Sequence, residues 1–157
     1  MGKGQCALVA LAALVVCMGA AASARAQPAA ASAPVVPAPP EVVADVQPVL
    51  ELVRQRFEAR DAGGVLGYVS EQYRSGGLTK GALRQQLLTL FSLYDAVRAR
   101  VTIDKTQMAD AGVWLYTTGE ISGHLPVIGW VTVLSWQGEP EVVRREGPVW
   151  RLFGFQD

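Results

Sequence analysis

The chain has 157 residues, and its 14 basic and 14 acidic side chains give a formal net charge of zero. This balance provides no electrostatic reason to expect nucleic acid or an anionic membrane as a partner. Both cysteines, Cys6 and Cys17, lie close to the amino terminus, so the remainder of the chain can form neither a disulfide nor a thiolate metal site.

The segment Met1–Ala26 has the pattern of a secretory signal peptide. Lys3 precedes a long apolar run, and the run ends at Ala24-Arg25-Ala26, which offers small residues at the two positions that signal peptidase requires. We therefore expect cleavage before Gln27 and a periplasmic or secreted product. The alternative is a retained membrane anchor, although the run is at the short end of the ~20 residues that a spanning helix needs. After cleavage the product would carry a net charge of −2 and no membrane span.

Residues 27–40 are rich in proline and alanine and carry no charge. This composition predicts a semi-extended linker rather than a packed element. The folded part should therefore run from Glu41 to Asp157 as one domain, which is large enough to bury roughly two-thirds of its unfolded surface.

Three helices are predicted in the first half of this domain, each from a cap residue and an apolar stripe. The first should begin near Asp45 as N-cap, with Pro48 in the first turn, where a missing N–H is not needed. Asp61 should cap a short second helix that extends to about Val69, and Thr79 should cap the third. The stripe of the first helix consists of Val46, Leu50, Val53 and Phe57, and that of the third consists of Leu83, Leu87, Leu90, Phe91 and Tyr94.

The apolar period changes from 3.6 to 2 after Asp95, which indicates that the second half is built of strands. Residues 97–103 alternate apolar and polar side chains, and a turn is predicted at 109–112. Further strands are predicted at 113–121, 130–136, 141–146 and 149–155. They are joined by a loop at 123–129, which contains His124, and by glycine-proline turns at 138–140 and 147–148. Connections this short require antiparallel pairing.

Three segments of this pattern carry a family resemblance: Tyr73–Lys80 between the second and third helices, Phe91–Asp95 at the end of the third, and the closing strand Gly147–Leu152, which is the most characteristic of them. Together with the order of elements, they resemble the NTF2-like superfamily, which includes SnoaL-like proteins and ketosteroid isomerases. The resemblance covers essentially all of Glu41–Asp157. It implies an α+β fold in which three N-terminal helices pack on a curved antiparallel β-sheet, forming a cone around a pocket. It also implies a homodimer, commonly formed through the outer sheet face.

The strand predicted at 130–136 gives a separate reason to expect a partner. The apolar side chains of one parity are Trp130, Leu134 and Trp136, and those of the other are Val131 and Val133. Three short helices can cover only one face of a sheet, so the other apolar face would need a second copy or a partner protein. The alternative is that strong twisting buries both parities inside the cone.

The sequence offers little catalytic chemistry. His124 is the single histidine and lies in a predicted loop, so we expect no metal site, no cofactor and no histidine-activated nucleophile. Arg144 and Arg145 are neighbours in a strand and point to opposite faces, so we expect cross-strand pairing with acids instead of an anion site.

Ketosteroid isomerases use a carboxylate base and a tyrosine or protonated acid as donor. The available acids are Asp95, Asp104 and Glu120 and the tyrosines are Tyr68, Tyr94 and Tyr116, but none matches by position, so no catalytic residue is predicted.

We therefore expect an exported, non-enzymatic binding module that holds a small apolar molecule or another protein. The side chains expected to line its pocket are Tyr68, Phe91, Tyr94, Trp114, Tyr116 and Trp130. Two alternatives remain: a small lyase, isomerase or hydrolase that uses a pocket carboxylate, and a purely structural homodimer. An inward Asp or Glu beside an inward Tyr would favour the enzyme. A pocket lined by aliphatic and aromatic side chains alone would favour binding.

Overall fold

The computed structural model describes residues 36–109 and 112–155. The predicted signal peptide, most of the predicted linker and the centre of the predicted turn at 109–112 lie outside the described residues. Within the described ranges, no helix combines the length and the apolar character that crossing a bilayer requires.

The first helix, α1, spans Pro40–Glu58 and begins five residues before the predicted start. Pro40 lies at its first position, where the fixed φ of proline suits the helix and the missing N–H costs nothing. The prediction of Asp45 as N-cap is therefore wrong, and Pro48 lies inside the helix. Because Pro48 has no N–H, the carbonyl of Ala44 loses its helical hydrogen bond. Both residues are exposed, so water can hydrate that carbonyl.

The other two helices carry the predicted caps. In α2, Ala62–Leu66, the Asp61 side chain accepts a hydrogen bond from the backbone N–H of Gly64 at 2.8 Å. In α3, Lys80–Leu93, the Thr79 hydroxyl accepts from the N–H of Ala82 at 3.2 Å. The second helix is shorter than predicted because Gly67 ends it, and the third ends before Tyr94, whose backbone is extended.

A two-stranded ribbon precedes α3 and was not predicted. Its strands are β1, Arg74–Ser75, and β2, Leu78–Thr79, which pair in antiparallel fashion. Gly76 and Gly77 between them have φ angles of 53° and 82°. Positive φ at both central residues is the geometry of the tight hairpin turn that matches strand twist.

The main sheet contains β3 (Ala96–Ala109), β4 (Gly112–Leu125), β5 (Gly129–Glu146) and β6 (Val149–Leu152), in that spatial order. All neighbours are antiparallel, as predicted. Two predicted boundaries are wrong. His124 lies on β4, opposite Ala96 on one side and Trp130 on the other, instead of in a loop. The strands predicted at 130–136 and 141–146 form one continuous strand, because β4 pairs with β5 across the predicted turn.

Two bulges interrupt β5. Thr117 pairs with Glu139 and Gly119 pairs with Trp136, so β5 has one extra residue near Gly138. Gly138 has a φ of 63°, and its N–H donates to the hydroxyl of Thr118 at 3.1 Å. A second register shift makes Val133 the extra residue between Thr132 and Leu134. A bulge inverts the alternation of faces beyond it.

The second bulge overturns the prediction that Trp130–Trp136 leaves both sheet faces apolar. We call the face towards α1 the inner face and the opposite one the outer face. Leu134 and Trp136 pack against the core on the inner face. Trp130 is 40% exposed on the outer face, where its strand neighbours Thr132 and Ser135 are also exposed. The outer face is therefore mostly polar at this end of β5.

The core lies between α1 and the inner face. Val46 and Phe57 of α1 are almost completely buried, together with Leu115 and Ile121 of β4. The last described residues of the predicted linker run along β3: the N–H of Met108 donates to the carbonyl of Val36 at 2.8 Å.

The bulge at Gly138 yields a test of the fold. Gly138→Ala should lower the free energy of unfolding by about 1 kcal/mol, because an L-residue with a side chain is strained at this positive φ. The matched control is Gly81→Ala, in an exposed position of α3 with room for a methyl group, which should raise it by up to about 1 kcal/mol. Urea denaturation of both variants measures the difference. Equal effects would contradict the assigned backbone conformation.

Candidate functional site

An apolar cavity of about 50 Å³ lies between α1 and the inner face of the sheet. We call it the cleft. Side chains from four elements line it: Leu50, Val53, Arg54 and Phe57 of α1, Ala99 and Val101 of β3, Leu115 and Thr117 of β4, and Trp136 and Glu141 of β5. Its walls are thus mostly hydrocarbon and aromatic carbon, as in sites for small apolar ligands.

The cleft adjoins a wider groove of about 720 Å³ between α1 and residues 101–106 of β3. Leu50, Arg54 and Val101 line both spaces, so the groove and the cleft share a wall. The Arg54 guanidinium donates to Glu51 at 2.6 Å and to Glu58 at 2.7 Å. The hydrogen bonds from Arg54, a hydrogen bond from Gln55 and the Arg54 charge lower the pKa of Glu51 to about 2. The cation at the mouth is therefore already paired with two carboxylates.

Glu141 is the buried polar group of the cleft, with 1% of its surface exposed. One carboxyl oxygen, Oε1, accepts a hydrogen bond from the N–H of Gly154 at 2.8 Å. The other, Oε2, has no hydrogen-bond partner among the described residues. Burial raises the pKa of Glu141 to about 8, and the hydrogen bond from Gly154 only partly opposes this. Near neutral pH the side chain is therefore mostly a protonated acid that can donate one hydrogen bond.

The Gly138 bulge turns Glu141 inward. Trp136 and Glu141 are five residues apart, so a regular strand would place them on opposite faces. The extra residue restores a common face, and both line the cleft. The sequence prediction missed Glu141 because it treated 138–140 as a turn and lost the phase of the strand. The remaining indication of a buried acid in the sequence was that Glu141 directly precedes the apolar residues Val142 and Val143.

Thr117 is the other buried polar side chain in the lining, with 4% exposure. Its hydroxyl accepts a hydrogen bond from the indole N–H of Trp136 at 3.1 Å. This bond holds the indole against the cleft wall, and the hydroxyl can still donate its own proton. The cleft therefore offers two hydrogen-bond donors in an apolar surrounding.

None of the six aromatic side chains predicted to line a pocket is part of the lining of the cleft or of the groove. Phe91 packs on Phe57, with ring centroids 5.5 Å apart. Tyr68 and Tyr94 are partly buried against the core, and the Tyr94 ring covers Gly123.

The other three predicted aromatic residues lie on the outer face. Trp114 and Tyr116 stack with centroids 6.5 Å apart, and Trp114 meets the edge of Phe155 at 5.2 Å. We call these three rings the outer aromatic cluster. Trp130 lies apart from them, beside His124 at 5.3 Å. The structure does not bring the six candidates together.

The acids considered as catalytic bases are engaged elsewhere. Asp95 contacts the Nδ1 atom of His124 at 2.8 Å. Asp104 accepts from the hydroxyl of Thr118 at 2.6 Å, and Glu120 accepts from that of Ser122 at 2.9 Å. None of the three acids lines the cleft, and Asp104 alone of them lines the groove. In the part of the chain that the structure describes, no cluster of three His, Cys, Asp or Glu side chains could hold a metal ion.

The prediction of cross-strand partners is wrong for Arg144. This side chain pairs with Glu146 at 2.8 Å, two residues along its own strand and on the same face. Its guanidinium also lies 3.8 Å from the centroid of the Phe153 ring. The pair forms along the strand because residues two apart share a face.

Glu141 makes stability depend on pH. Its pKa is raised on folding, so between the unfolded value near 4.5 and the folded value of about 8 the native state holds a proton that the unfolded state has lost. The free energy of unfolding should therefore fall as pH rises, by at most about 1.4 kcal/mol per pH unit, and level off above pH ~8. Glu141→Gln should remove this slope, because an amide does not titrate.

Urea denaturation at several pH values between ~5 and ~9 measures the slope. The matched control is Glu71→Gln, since the Glu71 side chain is 86% exposed and forms its ion pair with Lys80 at the surface. That variant should keep the slope of the parent protein. A Glu141→Gln protein with an unchanged slope would show that another group carries the pH dependence.

No protein-family model matches the sequence, and no curated protein matches it. Solved structures do match the fold. A candidate dehydratase of the NTF2-like family from Streptomyces avermitilis is 13% identical, with a TM-score of 0.59 over 74% of this chain and 94% of that one. A candidate aromatic ring hydroxylase from Novosphingobium aromaticivorans is 17% identical, with a TM-score of 0.57 over 74% and 87%.

Bd1075 from Bdellovibrio bacteriovorus is 11% identical, with a TM-score of 0.56 over 71% of this chain. The present chain spans only 38% of the length of Bd1075. Identities this low show the fold alone. The antiparallel sheet with its helices on one face, the cleft between them and these structural matches all lead to the same conclusion: the chain has the NTF2-like fold.

Proposed function

We propose that this protein is an exported binding module that holds a small, largely apolar molecule in the cleft, with Glu141 as the polar anchor. One observation carries the proposal: Glu141 lines an apolar cavity, and its Oε2 atom is buried with no hydrogen-bond partner among the described residues. Buried polar groups are nearly always satisfied, so an orphaned one suggests that a ligand completes its hydrogen bonding. Export rests on the signal-peptide pattern of Met1–Ala26.

The chemistry of the cleft selects the kind of ligand. A protonated Glu141 donates a hydrogen bond, and the Thr117 hydroxyl can donate a second, so the ligand should carry a neutral oxygen acceptor. A charged group would be stripped of water in this apolar surrounding without an opposite charge to pair with. The cleft is small, so one end of the ligand should enter it while the remainder lies in the groove above.

An enzyme is the alternative. Glu141 could act as a general acid, and structural neighbours include a candidate dehydratase and a candidate aromatic ring hydroxylase. Catalysis of the ketosteroid-isomerase kind would pair this carboxyl with a tyrosine donor, and the lining of the cleft contains no tyrosine. Binding without turnover needs only the groups that line the cleft, so we favour it over catalysis.

A homodimer is a second candidate role, and the outer aromatic cluster favours it. Trp114, Tyr116 and Phe155 are only partly buried although they stack on one another. Partly exposed aromatic rings that are held together on a sheet face are typical of interface cores. A second copy would cover them.

The ligand proposal can be tested with 2-naphthol, which has an oxygen, and naphthalene, which has none. Isothermal titration calorimetry near pH 6 should show that the protein prefers 2-naphthol by about tenfold, the effect of one hydrogen bond to a buried group. Glu141→Leu should reduce this preference, because only the Thr117 hydroxyl would remain as donor, while leaving naphthalene binding in place. Ala99→Leu should abolish binding of both, because its side chain would fill the cleft.

The matched control for the cleft-filling variant is Arg100→Leu, at the next residue of the strand, where the side chain is exposed. This variant should bind both probes like the parent protein. The proposal fails if Ala99→Leu folds normally and still binds them. Product formation detected during incubation with any candidate substrate would favour the enzyme instead.

The dimer can be tested by sedimentation velocity at tens of micromolar. Tyr116→Glu should convert a dimer to a monomer, because it places a charge in the outer aromatic cluster. Leu88→Glu, at an exposed position on α3, should leave the dimer intact. A parent protein that sediments as a monomer would rule out this candidate.

A further inference from the structure

The turn between β4 and β5 is an exposed apolar tip. We call residues 126–129 the hairpin tip. Val127 is 96% exposed and Ile128 is 72% exposed, so the two side chains project into solvent with almost no contact to the rest of the molecule. Exposed aliphatic side chains in a turn cost solubility, and they are typical of sites that another molecule covers.

An aromatic residue and a cation lie directly behind the tip on the outer face. Trp130 faces His124 across the strands, with ring centroids 5.3 Å apart. The Arg98 guanidinium lies 3.9 Å from the centroid of the Trp130 ring. Among residues 36–109 and 112–155, Arg98 has no ion-pair partner. The nearby carboxylate of Asp95 is engaged by His124.

These groups are ordered by distance from the tip. The hydrocarbon of Val127 and Ile128 comes first and the indole of Trp130 second. The backbone of Arg98 pairs with Ser122, two residues behind His124, but its guanidinium lies 3.9 Å from the centroid of the Trp130 ring, so the charge and the indole lie together behind the hydrocarbon. A phospholipid bilayer presents the complementary arrangement: hydrocarbon, then an interface that favours indole rings and carries phosphates that pair with guanidinium groups.

We propose that the hairpin tip inserts into the interfacial region of a phospholipid bilayer, with Arg98 on the lipid phosphates. The tip is convex, so a bilayer can accept it without a matching cavity, which a protein partner would have to supply. The attraction between the Arg98 guanidinium and a lipid phosphate acts over a short distance. The balanced net charge of the chain is therefore no obstacle, since it only excludes long-range attraction.

The full-length protein can be tested with vesicles of equimolar phosphatidylcholine and phosphatidylglycerol that contain brominated lipid. Bromine in the acyl chains should quench tryptophan emission of the parent protein. Most of this quenching should be absent in Trp130→Phe, which identifies the indole near the tip among the four tryptophans. The double variant Val127→Asp and Ile128→Asp should lose it, with affinity reduced about tenfold or more.

The control is Met108→Asp, a change at another exposed apolar side chain, 43% accessible, near the end of β3 that lies away from the tip. It should be quenched like the parent protein. Because all variants share the apolar segment Met1–Ala26, a retained anchor cannot produce a difference between them.

Two results would overturn the proposal: quenching that does not depend on Trp130, or equal losses in Met108→Asp and the double variant. If the double variant keeps its quenching but sediments as a smaller species, the tip is a contact between copies and the lipid proposal is wrong. Near-ultraviolet circular dichroism verifies that each variant is folded, which the exposure of these positions leads us to expect.

Discussion

One extra residue in β5 decides where the chemistry of this protein lies. The bulge at Gly138 brings Trp136 and Glu141 onto the same face, and it does so within a strand that pairs with β4 on both sides of the bulge. Without it, everything beyond Gly138 would slip to the opposite face. Glu141 would then meet solvent, and Val143, which is now 2% exposed, would leave the core. The packing of the core and the position of the acid therefore depend on the same irregularity.

A buried carboxyl group with one hydrogen bond opposes folding. The raised pKa of Glu141 expresses this cost, because it shows that the cleft accepts the neutral acid and disfavours the anion. The surrounding apolar side chains, such as Phe57 and Leu115, must offset the cost by their own burial. A leucine at the same position would pack without it. Groups that lower the stability of the fold are typical of functional sites, because binding or catalysis needs a group that folding does not need.

The sequence predicted what depends on neighbouring residues. The caps at Asp61 and Thr79 follow from side chains that reach a backbone N–H three residues ahead, and the strands follow from the change of period after Asp95. The prediction from sequence failed where the conformation of a segment depends on a strand that is distant in sequence. Gly138-Glu139-Pro140 has the composition of a turn, and only the pairing with β4 makes it part of a strand. The candidate aromatic residues do not converge because they lie on different sides of the fold: Tyr68, Phe91 and Tyr94 pack with the core, and the other three lie on the outer face.

The two irregularities of β5 also separate two kinds of surface. The bulge at Val133 leaves Trp130 outside, next to the Arg98 guanidinium, while the one at Gly138 brings Glu141 inside. A molecule with an apolar body and one neutral oxygen, the kind that suits the cleft, also partitions into lipid bilayers because burial of its apolar surface drives both processes. A domain that touches a bilayer through its hairpin tip would therefore meet such a ligand where it is concentrated. The two proposals rest on different residues. They are connected because a ligand that suits the cleft would also be concentrated in the bilayer that the hairpin tip enters.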